Sequence, residues 1–287
     1  MEDRMPPRTT PTARQLRLGV ELRKLRERAG LNTREAAELI GANQARISNI
    51  ETGRFGLSER SIRALAENYA CGDEALIAAL IAMTGKRKRG WWEEYRELLS
   101  PGQLDLAELE HHAAALLLAT VLHIPGLLQT VDHARAVFAE GVPALPPPDV
   151  EDRVSHRIKR QRILYGESPT PCKAVIHEAA LRMPFGGPRT ARAQLQHLID
   201  MSEREHITIQ VIPFRNGTFA GSGQSINYFS GPVPQLDTIL LEQAHGSLLL
   251  DAEAQLEKYR MVIGKMEAIA LKQNEARDFI HGLIQEL

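Results

Sequence analysis

Two carboxamides five positions apart, Gln44 and Asn49, carry the most pointed chemistry in this sequence. A carboxamide presents a donor and an acceptor side by side, which matches the N6 and N7 edge of adenine in the major groove of double-stranded DNA, while the methyl of Ala45 between them suits the methyl of thymine. Arg46 and Arg54 stand where guanidinium groups would meet phosphates, and the N-terminal amides of the same segment would add a further anion contact. Asn43, just before it, is expected to cap a helix and to lie at the same backbone-contacting end.

Catalytic chemistry finds no comparable set. His177-Glu178-Ala179-Ala180-Leu181 keeps the first half of a HExxH metal motif, but Leu181 stands where the second histidine belongs. His111, His112, His123 and His133 lack a cysteine or carboxylate framework to fix a metal geometry. Gly221-Ser222-Gly223-Gln224-Ser225 is not a serine-centred GxSxG elbow, and its expected role is a turn between strands. A GxxxxGK[ST] phosphate loop is also missing, so we expect a protein that is not an enzyme and needs neither cofactor nor metal.

The elements that must position the amides are short helices. From Gln15, Leu18, Leu22, Leu25 and Ala29 form one apolar face, with Arg17, Arg23 and Arg28 on the solvated surface, and Gly30 ends the helix. Asn32 or Thr33 caps a second helix whose apolar side is Ala36, Ala37, Leu39 and Ile40, and Gly41 supplies a turn. A third helix follows from Asn43 to Glu51, held inward by Ile47 and Ile50, which turns Gln44, Ala45, Ser48 and Asn49 outward. Further helices begin near Ser58 and Asp73. Two helices joined by so tight a turn make a helix-turn-helix, with the second able to enter a major groove.

Composition agrees. Residues 1–90 hold 17 Lys plus Arg against 11 Asp plus Glu, net +6, and the remainder holds 18 against 25, net -7, so the whole-chain charge of -1 hides a basic head on an acidic body. Cys71 and Cys172, 101 positions apart, read as reduced thiols of a cytoplasmic protein. The opening MEDRMPPRTTPTARQ has no apolar core of a signal peptide, and the uncharged-looking stretch from His111 to Val131 is too polar for a membrane span, so no membrane association is expected. The expected organisation is a flexible arm over 1–14, a helix-turn-helix head over 15–84, a basic and aromatic joint over 85–92, and an α+β domain over 93–287. In the joint, Lys86-Arg87-Lys88-Arg89 either neutralises phosphates or is a solvated linker. One of Trp91 and Trp92, with Tyr95 and Leu98 or Leu99, is expected to anchor the second domain, and the other to fill an interdomain or subunit contact.

In that domain the spacing predicts helical runs over Leu104 to Thr120, a short helix over Val131 to Phe138, and a spacer at Pro143 to Pro148. Residues 151–165 form a basic amphipathic helix, which either reaches DNA through Arg153, Arg157, Lys159, Arg160 and Arg162 or docks through Val154, Ile158 and Leu164. Strands are expected at 173–178, 207–212, 225–229, 238–241 and 247–250, with a helix over 190–201 and mostly helix over 251–281. Trp92, Tyr95, Phe138, Phe185, Phe214, Phe219, Tyr228 and Phe229 line a ligand pocket or form core, and residues 213–223 are a lid or a hairpin-like excursion. Partner binding and homodimerisation rank above small-molecule sensing as the task of this body.

The stretch LNTREAAELIGANQARISNIETGR resembles the Xre, or lambda-repressor-like, helix-turn-helix, and Ile47, Ile50, Glu51 and Gly53 match its IxxIExG ending. The resemblance implies Gln44, Ala45 and Asn49 as base readers and an ion pair between Arg26 and Glu51. It departs at Thr33, where relatives place a Gln that holds a phosphate and the shorter hydroxyl must serve, and at Ala42, where an aliphatic chain is usual. The body is similar to that of WhiJ-like, antitoxin-like regulators of actinomycetes, through IPGLLQT, Arg160-Gln161-Arg162-Ile163-Leu164 and Glu178-Ala179-Ala180-Leu181-Arg182. This implies transcriptional regulation, modulated by a small regulatory protein encoded nearby. The alternatives are a regulator gated by a small-molecule effector and a protein-interaction module without specific DNA recognition.

Overall fold

The first helix, α1 (Ala13–Arg28), starts on a reciprocal cap: the Thr12 hydroxyl accepts the Gln15 N–H, and the Gln15 side chain accepts the Thr12 N–H. In the computed structural model, which describes residues 10–84, 90–221, 223–243 and 246–287, the chain divides into two units, Met1–Gly90 and Trp91–Leu287. Most of the arm, the basic run Lys86-Arg87-Lys88-Arg89 and Ser222 lie outside the described residues.

Four more helices complete the first unit, each opened by a side-chain cap. Asn32 caps α2 (Thr33–Leu39), Asn43 caps α3 (Gln44–Glu51), Ser58 caps α4 (Glu59–Asn68) and Asp73 caps α5 (Glu74–Ala82). Leu22, Leu25, Ala36, Ala37, Ile47, Ile50, Ile62, Leu65, Leu76 and Leu80 are buried. Two positions differ from expectation. Leu39 is 50% exposed, and α2 is seated instead through the buried Ala36 and Ala37. Arg17 is buried rather than solvated, its charge met by Glu21 one turn on, which Lys24 also contacts at 2.7 Å.

The contact between α1 and α3 is close enough to require glycine. A Cβ on Gly19 would lie 2.5 Å from the Glu51 carbonyl oxygen, and one on Gly53, whose φ is +69°, would lie 2.8 Å from the Gln15 backbone.

The second unit opens with a 3-10 turn, Trp91–Tyr95, and α6 (Pro101–His112). Then come β1 (Ala115–Thr120), α7 (Val131–Ala139), α8 (Pro147–Arg160), β2 (Cys172–His177), α9 (Glu178–Arg182), α10 (Pro188–Ser202) and β3 (Ile207–Ile212). The chain ends with β4 (Ile226–Ser230), β5 (Thr238–Gln243), β6 (Gly246–Leu250), α11 (Glu253–Ile269) and α12 (Gln273–Glu286). The strands form one sheet in the order β3-β2-β1-β4-β5-β6, parallel among the first three and antiparallel from β1 to β6. The protein is thus an all-α head followed by an α+β domain.

One expected helix is a strand. The helical run ends at His112, and Ala115-Leu116-Leu117-Leu118-Ala119-Thr120 is the central β1. Leu116 and Leu118 join the core shared with α10 and α12, while Ala119 faces the core under α11. A strand covered on both faces has no polar alternation and reads like a buried helix. β3 and β4 are not neighbours in the sheet, so the connection between them does not close a hairpin of these two strands. The helix expected from residue 151 starts at Pro147, whose ring suits a first helical turn.

The basic α8 is docked. Arg160 is buried and grips Glu110 through two hydrogen bonds of 2.7 and 2.6 Å. Arg157 lies 4.1 Å over the Phe138 ring and donates to the Gln129 side chain, and Lys159 pairs with Glu94 at 2.7 Å. The Gln161 amide donates to the Gln129 carbonyl at 2.7 Å, and that of Gln194 to the Leu128 carbonyl at 2.7 Å. Trp91 and Trp92 share one aromatic cluster with Tyr95 in the 3-10 turn, their ring centroids 6.0 Å apart and edge to face, so neither ring is set aside from the body. Leu99, not Leu98, joins that cluster.

His133 and His156 are 1% and 2% exposed. Burial, then the charge of Arg157, pushes His133 down to about 4, and burial, then Arg160, pushes His156 down to about 3. Both pKa values are depressed below the unfolded value of about 6.5, so the unfolded chain binds protons that the folded chain refuses, and stability falls as pH drops below 6.5. Urea unfolding at pH 7 and pH 5 should differ by on the order of 4 kcal/mol from these two sites, and His133→Leu with His156→Phe should flatten that dependence. Equal stability at both pH values would contradict their neutral burial. Gly19→Ala should cost the head about 1–3 kcal/mol in a thermal melt by forcing α1 from α3.

Candidate DNA-reading face

The eight-residue helix α3 is too short to hold itself, so its orientation is set by what it buries. Ile47 and Ile50 lie inward, and Gln44, Ala45, Arg46, Ser48 and Asn49 are all exposed. At its start the Asn43 side chain accepts the Arg46 N–H at 2.9 Å, which occupies one oxygen and leaves the amide group exposed. The remaining amides of the first turn give this end of α3 a partial positive charge.

Thr33, expected as a backbone contact, and Gln44, expected as a base reader, are brought together: the Gln44 Nε2 donates to the Thr33 Oγ1 at 2.9 Å. That bond orients the Gln44 carboxamide from the first residue of α2. The Asn49 side chain makes no hydrogen bond among the described residues, while its carbonyl accepts the N–H groups of Arg54 and Phe55 at 2.9 and 3.1 Å. Arg54 is exposed on the turn so fastened.

Arg26 joins three segments behind this face. Its guanidinium donates to both Glu51 oxygens, at 2.5 and 3.0 Å, and to the Leu31 carbonyl at 2.6 Å. The Glu51 hydrogen bond raises the Arg26 pKa. Beneath, Tyr69 is pushed up to about 12 by burial and then by the Glu51 charge. The Leu31 contact, the Gly19 approach and the Thr33–Gln44 bond escaped sequence reasoning. Only Gly19 left a signal, a glycine inside a helical run with no turn to explain it.

Elsewhere, His177 and Glu178 serve the fold: His177 accepts the Ala179 N–H at 3.3 Å, and Glu178 accepts the Phe214 N–H at 2.7 Å and pairs with Arg182. Among the described residues no group of three or more His, Cys, Asp or Glu is placed to hold a metal, and no helix is long and apolar enough to cross a membrane. A cleft of about 340 Å³ opens between α6, β5 and β6, lined by Gln103, Leu106, Leu240, Glu242 and Leu249 among others. None of the aromatic residues considered for a pocket lines it.

Residues 17–80 match a helix-turn-helix domain family, which supports a DNA-binding regulatory function for the head. No curated protein matches the chain, and no solved structure does. Residues 103–282, more than half of the chain, match a domain of unknown function (DUF5753), and the chain belongs to that family, its DUF5753 body following a helix-turn-helix head.

Proposed function

We propose that this protein is a cytoplasmic, sequence-specific regulator of transcription that binds double-stranded DNA as a homodimer, with an Xre-type head and a body of the WhiJ-like, antitoxin-like kind. The observation that carries the reading is the outward set Gln44, Ala45 and Asn49 on a helix held by Ile47 and Ile50. In this mechanism Gln44 and Asn49 read adenine edges, Ala45 meets a thymine methyl, and Thr33, Asn43, Arg46 and Arg54 hold the backbone. Two copies place their α3 helices in successive major grooves, about 34 Å apart. Trp91, Trp92 and Tyr95 anchor the start of the body, which receives a small protein partner and changes DNA affinity by selecting one head arrangement.

Selection of genomic fragments with the purified chain, followed by footprinting of the best site, tests this directly. Gln44→Ala with Asn49→Ala should erase most discrimination between that site and a scrambled duplex, a loss of about 30-fold or more, since each amide–adenine pair contributes roughly 1–3 kcal/mol and two are removed. Arg54→Ala should weaken both duplexes alike. Unchanged discrimination in the double variant removes the base-reading assignment.

The homodimer has its own signature. The footprint should show two half-sites related by two-fold symmetry and one helical turn apart, and sedimentation of the chain alone should give twice its 31.9 kDa mass. A single asymmetric half-site bound by a monomer contradicts it.

A further inference from the structure

Beyond the tip of α3 the chain places an aromatic ring where the DNA-reading face ends. Gly53, at φ +69°, turns the chain against the Gln15 backbone, and the next two N–H groups, of Arg54 and Phe55, both donate to the Asn49 carbonyl. The turn is therefore fastened to α1 on one side and α3 on the other. Phe55 leaves it 45% exposed, with the Arg46 guanidinium 4.9 Å from its ring centroid. A single exposed ring means little by itself. Its partner gives this one meaning.

Most head arginines that pair do so with carboxylates: Arg23 with Glu27, Arg26 with Glu51, Arg34 with Glu38 and Arg63 with Glu59. Arg46 has no carboxylate partner among the described residues and rests on Phe55 instead. The difference is chemical. A carboxylate occupies the in-plane N–H groups of a guanidinium, the same groups that grip a phosphate. An aromatic ring touches its flat face and leaves all of those donors unspent.

We propose that Phe55 belongs to the DNA interface, as a positioning residue that holds the Arg46 guanidinium ready for a backbone phosphate at the edge of the groove α3 enters. Restraint before binding reduces the side-chain entropy lost on binding. The inference rests on the reading of α3 as the DNA-facing helix, but not on Gln44 or Asn49 reading bases, because a phosphate contact is independent of sequence.

The full chain and its Phe55→Ala, Phe55→Leu, Phe55→Trp, Arg46→Ala and Arg46→Ala/Phe55→Ala variants are titrated onto the selected duplex and a scrambled one at several salt concentrations, with a thermal melt of each. Phe55→Ala and Phe55→Leu are expected to weaken binding to both duplexes about 3- to 10-fold at an unchanged melting temperature, and Phe55→Trp to keep it. Arg46→Ala should lower the salt slope by about one, and adding Phe55→Ala to it should cost nothing more. Wild-type affinity in Phe55→Ala, wild-type affinity in Phe55→Leu, or additive losses in the double variant would each overturn the proposal. A wild-type chain that binds both duplexes equally removes the sequence-specific reading alone, since the coupling of Arg46 to Phe55 is still measured on either duplex.

Discussion

Gly19 lets the backbone of α1 touch the last turn of α3, and Arg26 closes the contact by gripping Glu51 on one side and the Leu31 carbonyl on the other. An eight-residue helix has no orientation of its own, and these contacts with Ile47 and Ile50 supply it. Whatever Gln44 and Asn49 recognise, they can do so only while that seat holds. The Arg26–Glu51 pair is nearly dry, so its worth lies less in net stability than in the penalty for breaking it: removing one partner strands a charge, which typically costs about 3–5 kcal/mol. The same bond that fixes the reading face thus makes it intolerant of single substitution.

In the body an analogous constraint is made of amides. The IPGLLQT segment between β1 and α7 turns its carbonyls inward, and Gln129, Gln161 and Gln194 satisfy them from the segment itself, from the turn after α8 and from α10. A buried loop needs such partners, because carbonyls without donors would cost about as much as the packing gains. IPGLLQT and the Arg160-Gln161 segment are thereby locked together through hydrogen bonds, with Arg160 held in turn by Glu110.

The head was legible because its signals are local. Asn43, Ser58 and Asp73 each cap the helix their position announces, and the faces of α3 follow from two isoleucines three residues apart. Legibility failed where a side chain's fate depends on a distant partner. Arg17 looks solvated in sequence, yet Glu21 and the surrounding packing enclose it, and no local pattern announces that Gln44 reaches back eleven residues to the Thr33 hydroxyl. In the body, β2 to β6 are visible as apolar runs bounded by turns, whereas β1, flanked by strands on both sides and covered on both faces, carries no period to distinguish it from α6 just before it. The place of β1 between β2 and β4 is a long-range fact that no window of sequence contains.

Charge shows the same limit from the other direction. Counting residues identifies a basic head, but the count does not say which cations are available. Arg23, Arg26, Arg34 and Arg63 spend their donors on carboxylates of the head, and the basic face of α8 is largely turned onto Glu110, Gln129 and Glu94. Arg46 and Arg54, at the two ends of the reading face, are the ones near α3 that meet no carboxylate among the described residues. In the proposed mode a phosphate approaching α3 finds these two guanidinium groups beside the amides, while among the described residues of the head Arg17, Arg23, Lys24, Arg26, Arg34 and Arg63 are already answered by carboxylates at short range. Under that reading the pairing of the described cations, and not only the net charge of +6 on residues 1–90, decides how much attraction for an anion is left at the helix whose side chains face outward.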